Sequence, residues 1–149
     1  MSASPNIHDT LWQLAFHIKV QCKRAVQEFG VKLGGMHVRA LLLIQAQPQQ
    51  CTANHLCAVS GRDKAQITRI VKDLEDQQLI ERRPNPNDGR SQILLLTTDG
   101  RALLKKIRSA EQEVEAQYVQ GLSPQEREAF IAIGQKMLGN LKPAATRRQ

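Results

Sequence analysis

The sequence predicts a mainly α chain carrying one small antiparallel β-hairpin. Apolar residues recur at spacings of three and four over several long stretches, the signature of amphipathic helices. Two short runs, residues 79–83 and 92–96, flank the turn-rich segment PNPNDGRS and fit a hairpin. Helix starts at Thr52, Asp63, Thr97 and Ser123, and stops at Gly30, Pro48, Gly61 and Gly121, separate the elements.

The first helix covers residues 7–29, with Leu11, Leu14, Ala15, Ile18, Cys22, Ala25, Val26 and Phe29 on one stripe. Residues 36–47 form a second helix, apolar nearly all round through 40–44 and therefore central, and Pro48 ends it. Thr52 caps a short helix over 52–60. After Gly61 a further helix runs over 63–78, opened by the capping pair Asp63 and Gln66, with Ile67, Ile70, Val71 and Leu74 facing inward. Pro84 and Pro86 are expected to end the hairpin ladder, and Asn87-Asp88-Gly89 supplies turn residues. Thr97 caps a long helix to residue 120. Ser123-Pro124-Gln125-Glu126 then opens the last helix, which carries Phe130, Ile133, Met137, Leu138 and Leu141. The closing segment KPAATRRQ is expected to be disordered.

At 149 residues, a single domain with a real core is expected. No segment approaches the ~18 consecutive apolar residues of a membrane span, and MSASPNIHD lacks the layout of a signal peptide. Three cysteines at irregular spacing argue against a disulfide framework, so a cytoplasmic chain with free thiols and no membrane partner is expected. The net charge of +7 points to a polyanionic partner. Three of those charges sit in the tail (Lys142, Arg147, Arg148), and residues 60–92 mix seven basic with six acidic side chains. What matters is where the charges point.

Residues 53–70 have the internal arrangement of a helix-turn-helix. Cys57 is small where two helices must cross, Gly61 can take a positive φ in the turn, and Ile67 and Ile70 lock the second helix onto the first. Ser60 and Arg62 stand where apolar residues are usual beside that glycine. At 100° per residue the outer face of the 63–78 helix carries Arg62, Ala65, Arg69, Lys72 and Asp76, flanked by Gln66 and Thr68. Its N-terminal end thus holds side chains suited to base edges and phosphates, while Asp73, Glu75 and Asp76 gather at the other end. A hairpin directly after such a helix is a wing, and an arginine at its tip, Arg90, would be drawn to the potential of a narrow minor groove. Asp88 is expected to pair with Arg90 or Arg82 and hold the tip.

The run GRDKAQITRIVKDLEDQQLIERRPNPNDGRSQILLLTTDG, residues 61–100, resembles the multiple-antibiotic-resistance regulator (MarR) family of bacterial winged-helix repressors. Asp63-Lys64, Thr68-Arg69, Leu74-Glu75, Leu79-Ile80, the Asp88-x-Arg90 wing and Leu96-Thr97-x-x-Gly100 carry the resemblance, and the order of elements extends it over nearly the whole chain. Gln78 stands where the family often has Gly, which predicts a strained helix end, and Gly89 replaces a frequent arginine.

The resemblance implies a winged helix-turn-helix with long N- and C-terminal dimerisation helices. Residues 1–34 and 98–142 would join a homodimer, and 35–97 would form the DNA-binding lobe, with recognition helix 63–78, wing 80–96 and a tail at 143–149. It implies a repressor bound to a pseudo-palindromic double-stranded operator. The DNA contacts would come from Arg62, Asp63, Lys64, Ala65, Gln66, Thr68, Arg69, Lys72, Asn87, Asp88, Arg90 and Ser91. The stripe Leu103/Ile107/Ala110/Val114 and that of the last helix are both expected at the dimer surface.

Family members lose DNA affinity when the junction of dimer helices and DNA-binding lobe is perturbed. A small phenolic or aromatic acid could do so in a pocket near Trp12, Phe16, His17, Met36, His37 and Arg39, with Arg39 neutralising its carboxylate; alternatively Trp12 and Phe16 are core or dimer contacts. Thiol redox sensing is the second option. Cys22 lies beside Lys23 and Arg24 but also on the apolar stripe, and Cys51 is expected to be the exposed thiol. Cys51, His55 and Cys57 offer too few ligands for zinc once Cys57 is in the core, so no metal and no cofactor are expected. No phosphate loop, nucleophile elbow or metalloprotease helix is present, which argues against an enzyme. A winged helix that binds protein rather than DNA is the alternative of a different class.

Overall fold

The computed structural model describes residues 4–141, so the expectation for the tail lies outside the described residues. The element order is α1 (Ile7–Gln27), α2 (Gly35–Ala46), α3 (Ala53–Ser60), α4 (Lys64–Asp76), β1 (Ile80–Pro84), β2 (Gln92–Leu96), α5 (Thr98–Tyr118) and α6 (Pro124–Leu141). The described residues divide into two compact units, one running up to Val114 and the other starting at Glu115, and the division falls inside α5.

Local signals place the helix ends. Asn6 accepts the Asp9 N–H at 2.8 Å and opens α1. Thr52 accepts the His55 N–H at 3.1 Å, and Asp63 accepts the Gln66 N–H at 2.8 Å. Ser123 and Glu126 form the reciprocal pair at the start of α6, Ser123 N–H to Glu126 at 2.8 Å and Glu126 N–H to Ser123 at 3.1 Å. Each bond satisfies an otherwise orphaned donor of the first turn and stabilises its helix by roughly 1 kcal/mol. Gly61 closes α3 at φ +66°, the left-handed conformation that lets the chain turn at once into α4.

The core of the first unit is built from Leu41 and Ile44 of α2, Leu56 of α3, the α4 stripe Ile67, Ile70, Val71 and Leu74, and Ile80 and Leu94 of the hairpin, all buried. Leu103, Leu104 and Ile107 of α5 complete it. This corrects one expectation. The α5 stripe Leu103/Ile107/Ala110/Val114 is buried within its own chain rather than held at the surface for a second copy. The α6 stripe behaves oppositely: none of its residues is buried, and Phe130, Ile133, Leu138 and Leu141 are exposed. Along α1, burial begins only near the C-terminal end, at Val26; Leu11, Trp12, Leu14 and Phe16 are exposed.

The hairpin is antiparallel, with Ile80 opposite Leu96 and Pro84 opposite Gln92. The ladder therefore reaches Pro84, one residue further than expected. A terminal strand position tolerates the missing N–H of proline. The segment before α3 adds a bridge between Thr52 and Ile93, and the Leu94 N–H donates to the Cys51 carbonyl at 2.8 Å.

The junction of α4, wing and α5 is made from backbone. Gln78 sits at φ +57°, as the missing glycine predicts, and the Leu79 N–H donates back to the Leu74 carbonyl at 2.9 Å. Thr97 closes the other side. Its hydroxyl donates to the Gln78 carbonyl at 2.7 Å and accepts the Gly100 N–H at 3.0 Å, while its own N–H reaches the Leu79 carbonyl at 3.1 Å. A Cβ on Gly100 would lie 2.1 Å from the Leu79 carbonyl oxygen, which is the physical reason for a glycine there.

Candidate nucleic-acid interface

The charge mixture of residues 60–92 resolves into two populations. Five of the six acids are engaged. Asp63 caps α4, Asp73 meets His37, Glu75 meets Arg82, Glu81 meets Arg83 at 2.7 Å, and Asp88 accepts the Arg90 backbone N–H at 3.0 Å. Arg62, Lys64, Arg69, Lys72 and Arg90 are exposed, and among the described residues their side chains make no ion pair or hydrogen bond within the chain. The acids are spent on holding the lobe together, and the cations are left to solvent.

Arg62, Gln66 and Arg69 converge on one cavity of about 210 Å³, floored by Met36 of α2 and Ile70. Ala65 and Thr68 are exposed beside them, and the Thr68 hydroxyl donates to the Lys64 carbonyl at 2.7 Å. The N-terminal half of α4 thus presents a cationic, hydrogen-bonding surface over a small apolar floor.

Two side-chain links hold α4 in place. The Gly34 N–H donates to His37 Nδ1 at 3.0 Å, so the ring hydrogen is on Nε2, which donates to Asp73 Oδ2 at 3.0 Å. On the other flank Arg82 grips Glu75 through Nε to Oε1 at 2.7 Å and Nη2 to Oε2 at 2.8 Å. That bond raises the guanidinium pKa above its already high value.

The wing tip is ordered by Asn85, which the sequence reading passed over. Its Oδ1 accepts the Asn87 N–H at 3.0 Å and its Nδ2 donates to the Ser91 hydroxyl at 2.8 Å. An asparagine set between two turn prolines was the available signal. Asp88 works through backbone, accepting the Arg90 N–H, and not through either guanidinium as expected; Arg82 is already taken by Glu75. Asn87, Asp88 and Arg90 are exposed at the tip, and Ser91 is half-buried.

Among the residues considered for an effector pocket, Phe16 and His17 are in ring contact at 5.4 Å, and Met36 lines a cavity with Arg62, Gln66, Arg69 and Ile70. Trp12 and Phe16 are 65% and 61% exposed, which removes the core alternative for them, and they stack edge-on against His8 and His17 of their own helix. His37 is committed to Gly34 and Asp73, Arg39 is exposed, and the cavity that Met36 lines holds none of the other five. Cys51 corrects a further expectation. It is fully buried under β2, and burial pushes its thiol pKa up to about 11. Burial, then the nearby Glu111 carboxylate, also raises the Cys22 thiol, so Lys23 and Arg24 do not activate it. Cys57 is half-buried against the core.

Comparison with known proteins fits this geometry. The HTH-type transcriptional regulator BilQ of Clostridium symbiosum is 30% identical over 123 residues, spanning 83% of each chain. The MarR family model matches residues 31–91, from the segment before α2 to the wing. The chain belongs to the MarR family. The transcriptional repressor MprA of Escherichia coli is 29% identical over 103 residues, 68% of this chain and 58% of that one. Among solved structures, a MarR variant from E. coli superposes with a TM-score of 0.76 at 20% identity, covering 92% of this chain and 99% of the other. The MepR–DNA complex of S. aureus gives 0.76 at 24%, covering 93% and 100%. These place the fold as a MarR-family winged helix-turn-helix, and the family's members are transcriptional regulators rather than enzymes. Among the described residues no helix is long and apolar enough to cross a membrane.

Proposed function

We propose that this MarR-family regulator is a repressor that binds a pseudo-palindromic double-stranded operator as a homodimer. The observation that carries the reading is the sorting of charge around α4 and the wing: acids paired inside the chain, and Arg62, Lys64, Arg69, Lys72 and Arg90 left unpaired and exposed. In this reading α4 enters the major groove by its N-terminal half. Gln66 and Arg69 read base edges, Arg62, Lys64 and Lys72 hold phosphates, and the Thr68 hydroxyl joins them by turning from the Lys64 carbonyl to a phosphate oxygen; Ala65 permits close approach, and Asp63 acts by capping. Arg90 enters the adjacent minor groove from a tip built by Asn85, Asn87, Asp88 and Ser91.

The homodimer is supported by apolar surface that each unit leaves uncovered: Leu11, Trp12, Leu14 and Phe16 on α1, and Phe130, Ile131, Ile133 and Leu138 on α6. Residues 1–34 and 98–142 are then the dimerisation helices, and 35–97 the DNA-binding lobe. Two recognition helices would meet successive major-groove faces roughly 10 bp apart. MprA, a relative that bears the name repressor, and MepR, solved on DNA, support the assignment.

For release by a small aromatic acid, the cavity of Met36, Arg62, Gln66, Arg69 and Ile70 is a better seat than the six residues first considered. It pairs an apolar floor with two guanidiniums. A bound acid there would occupy the arginines that DNA needs. The test is a mobility-shift titration on the DNA upstream of the chain's own gene, repeated with salicylate-like acids, peroxide and zinc. Gln66→Ala and Arg69→Ala are expected to reduce discrimination between operator and random DNA. An equal loss on both DNAs would make these residues phosphate contacts.

A further inference from the structure

We infer that a cleft at the base of the wing, on the face turned away from α4, binds a small zwitterion such as a free apolar amino acid. The cleft measures about 640 Å³ and is bounded by Gln49, the β1 residues Glu81 and Arg83, Leu95 and Leu96 of β2, and Asp99 and Arg101 at the start of α5. That volume lies in the usual range of small-molecule sites. Strand alternation separates it from the recognition surface. Arg82 points to Glu75 on α4, while its neighbours Glu81 and Arg83 line the cleft.

The chemistry of the lining selects the ligand class. Arg83 and Arg101 supply guanidinium donors. Arg101 spends Nη1 on the Leu96 carbonyl and Nη2 on Thr98, and Arg83 spends Nη2 on Glu81, so each keeps further N–H groups to offer. Two carboxylates face the same space, and that of Asp99 has no hydrogen-bond or ion-pair partner among the described residues. Glu81 and Arg83 offset each other, which leaves Asp99 to oppose a simple anion and Arg101 to oppose a simple cation. A molecule carrying carboxylate and ammonium together satisfies both, and half-buried Leu95 and Leu96 offer contact for an apolar side chain.

Gln49 and Gln78, the non-glycine residues with positive φ among the described residues at +61° and +57°, border the same cleft. A ligand here would tie together the α2–α3 loop, the outer face of the wing and the start of α5.

Isothermal titration of the full chain without DNA tests the site, and its outcome is independent of the proposed operator binding. The probes are L-leucine, isocaproate (the same skeleton without the amine) and isoamylamine (without the carboxylate). L-leucine is expected to bind, with each truncated probe at least about tenfold weaker. Asp99→Asn and Arg83→Gln are expected to weaken leucine about tenfold while lowering the thermal midpoint of the ligand-free protein by no more than a few degrees. No leucine binding up to roughly 10 mM would overturn the inference, as would isocaproate binding equal to leucine.

Discussion

The guanidinium of Arg82, on the first strand of the wing, and the carboxylate of Glu75, in the last turn of α4, form a two-pronged ion pair at 2.7 and 2.8 Å. The pair joins the two parts of the lobe that are proposed to enter different grooves. Arg82 is therefore a strut, and Glu75 is no repulsive charge toward DNA. On the opposite flank of α4, His37 performs the corresponding task through Asp73.

Glu75→Gln should loosen the wing more than it unfolds the protein. Both side chains are about one third exposed, so the loss of stability is expected to be about 1 kcal/mol or less. Operator affinity is expected to fall about tenfold, because the wing must then be ordered on binding. Denaturant titration and mobility shift, measured on the same variant, check both halves.

Gly89→Arg addresses the one glycine in the tip. A Cβ there would meet nothing within 4 Å, and the backbone is outside the left-handed region. The added cation should raise affinity for DNA and steepen its salt dependence by about one counterion. Equal affinity of variant and parent would mean that this position does not approach the duplex.

The wing–α5 junction yields opposite effects from two neighbouring substitutions. Gln78→Gly is expected to stabilise by about 1 kcal/mol, since glycine adopts the left-handed conformation without the steric cost. Gly100→Ala is expected to cost on the order of 2–3 kcal/mol, because the new Cβ would run into the Leu79 carbonyl. Thermal unfolding of both variants beside the parent checks the sign of each.

Cys51 should resist thiol reagents in the folded protein. Its pKa is raised from 9.0 to about 11, so near neutral pH almost no thiolate exists, and its side chain is also buried. The folded thiol holds its proton more tightly than the unfolded one. Its contribution to stability is therefore whole below pH 9.0 and is lost as pH rises toward about 11. Mass spectrometry after brief alkylation is expected to find Cys51 unmodified, and rapid labelling of the native chain would contradict the burial argument.

Much of this architecture was legible because it is written locally. Caps at Thr52, Asp63 and Ser123, the turn at Gly61 and the α4 stripe depend on neighbours within four residues, and all appear where the sequence places them. The left-handed Gln78 could be read because it stands where glycine is common in the family. What escaped depends on distant partners. Cys51 looks like a loop thiol until the bridge of Thr52 to Ile93 lays β2 over it. The stripes of α5 and α6 share the same periodicity, and periodicity does not say whether a face is covered by its own chain or left open. Arg82 chooses Glu75 over Asp88 because strand alternation turns it toward α4, a fact of register rather than composition.

On the proposed reading, α4 and the wing bind double-stranded DNA through the unpaired cations Arg62, Lys64, Arg69, Lys72 and Arg90. The most direct test is the affinity for DNA upstream of the chain's own gene, measured against salt concentration for the parent and for Arg90→Ala. Log affinity is expected to fall linearly with log salt, with a slope of about −0.9 per phosphate contact, and Arg90→Ala to bind more weakly and with less salt dependence. Absent or salt-independent binding by the parent, or an Arg90→Ala curve superimposable on it, would rule out DNA binding through these cations.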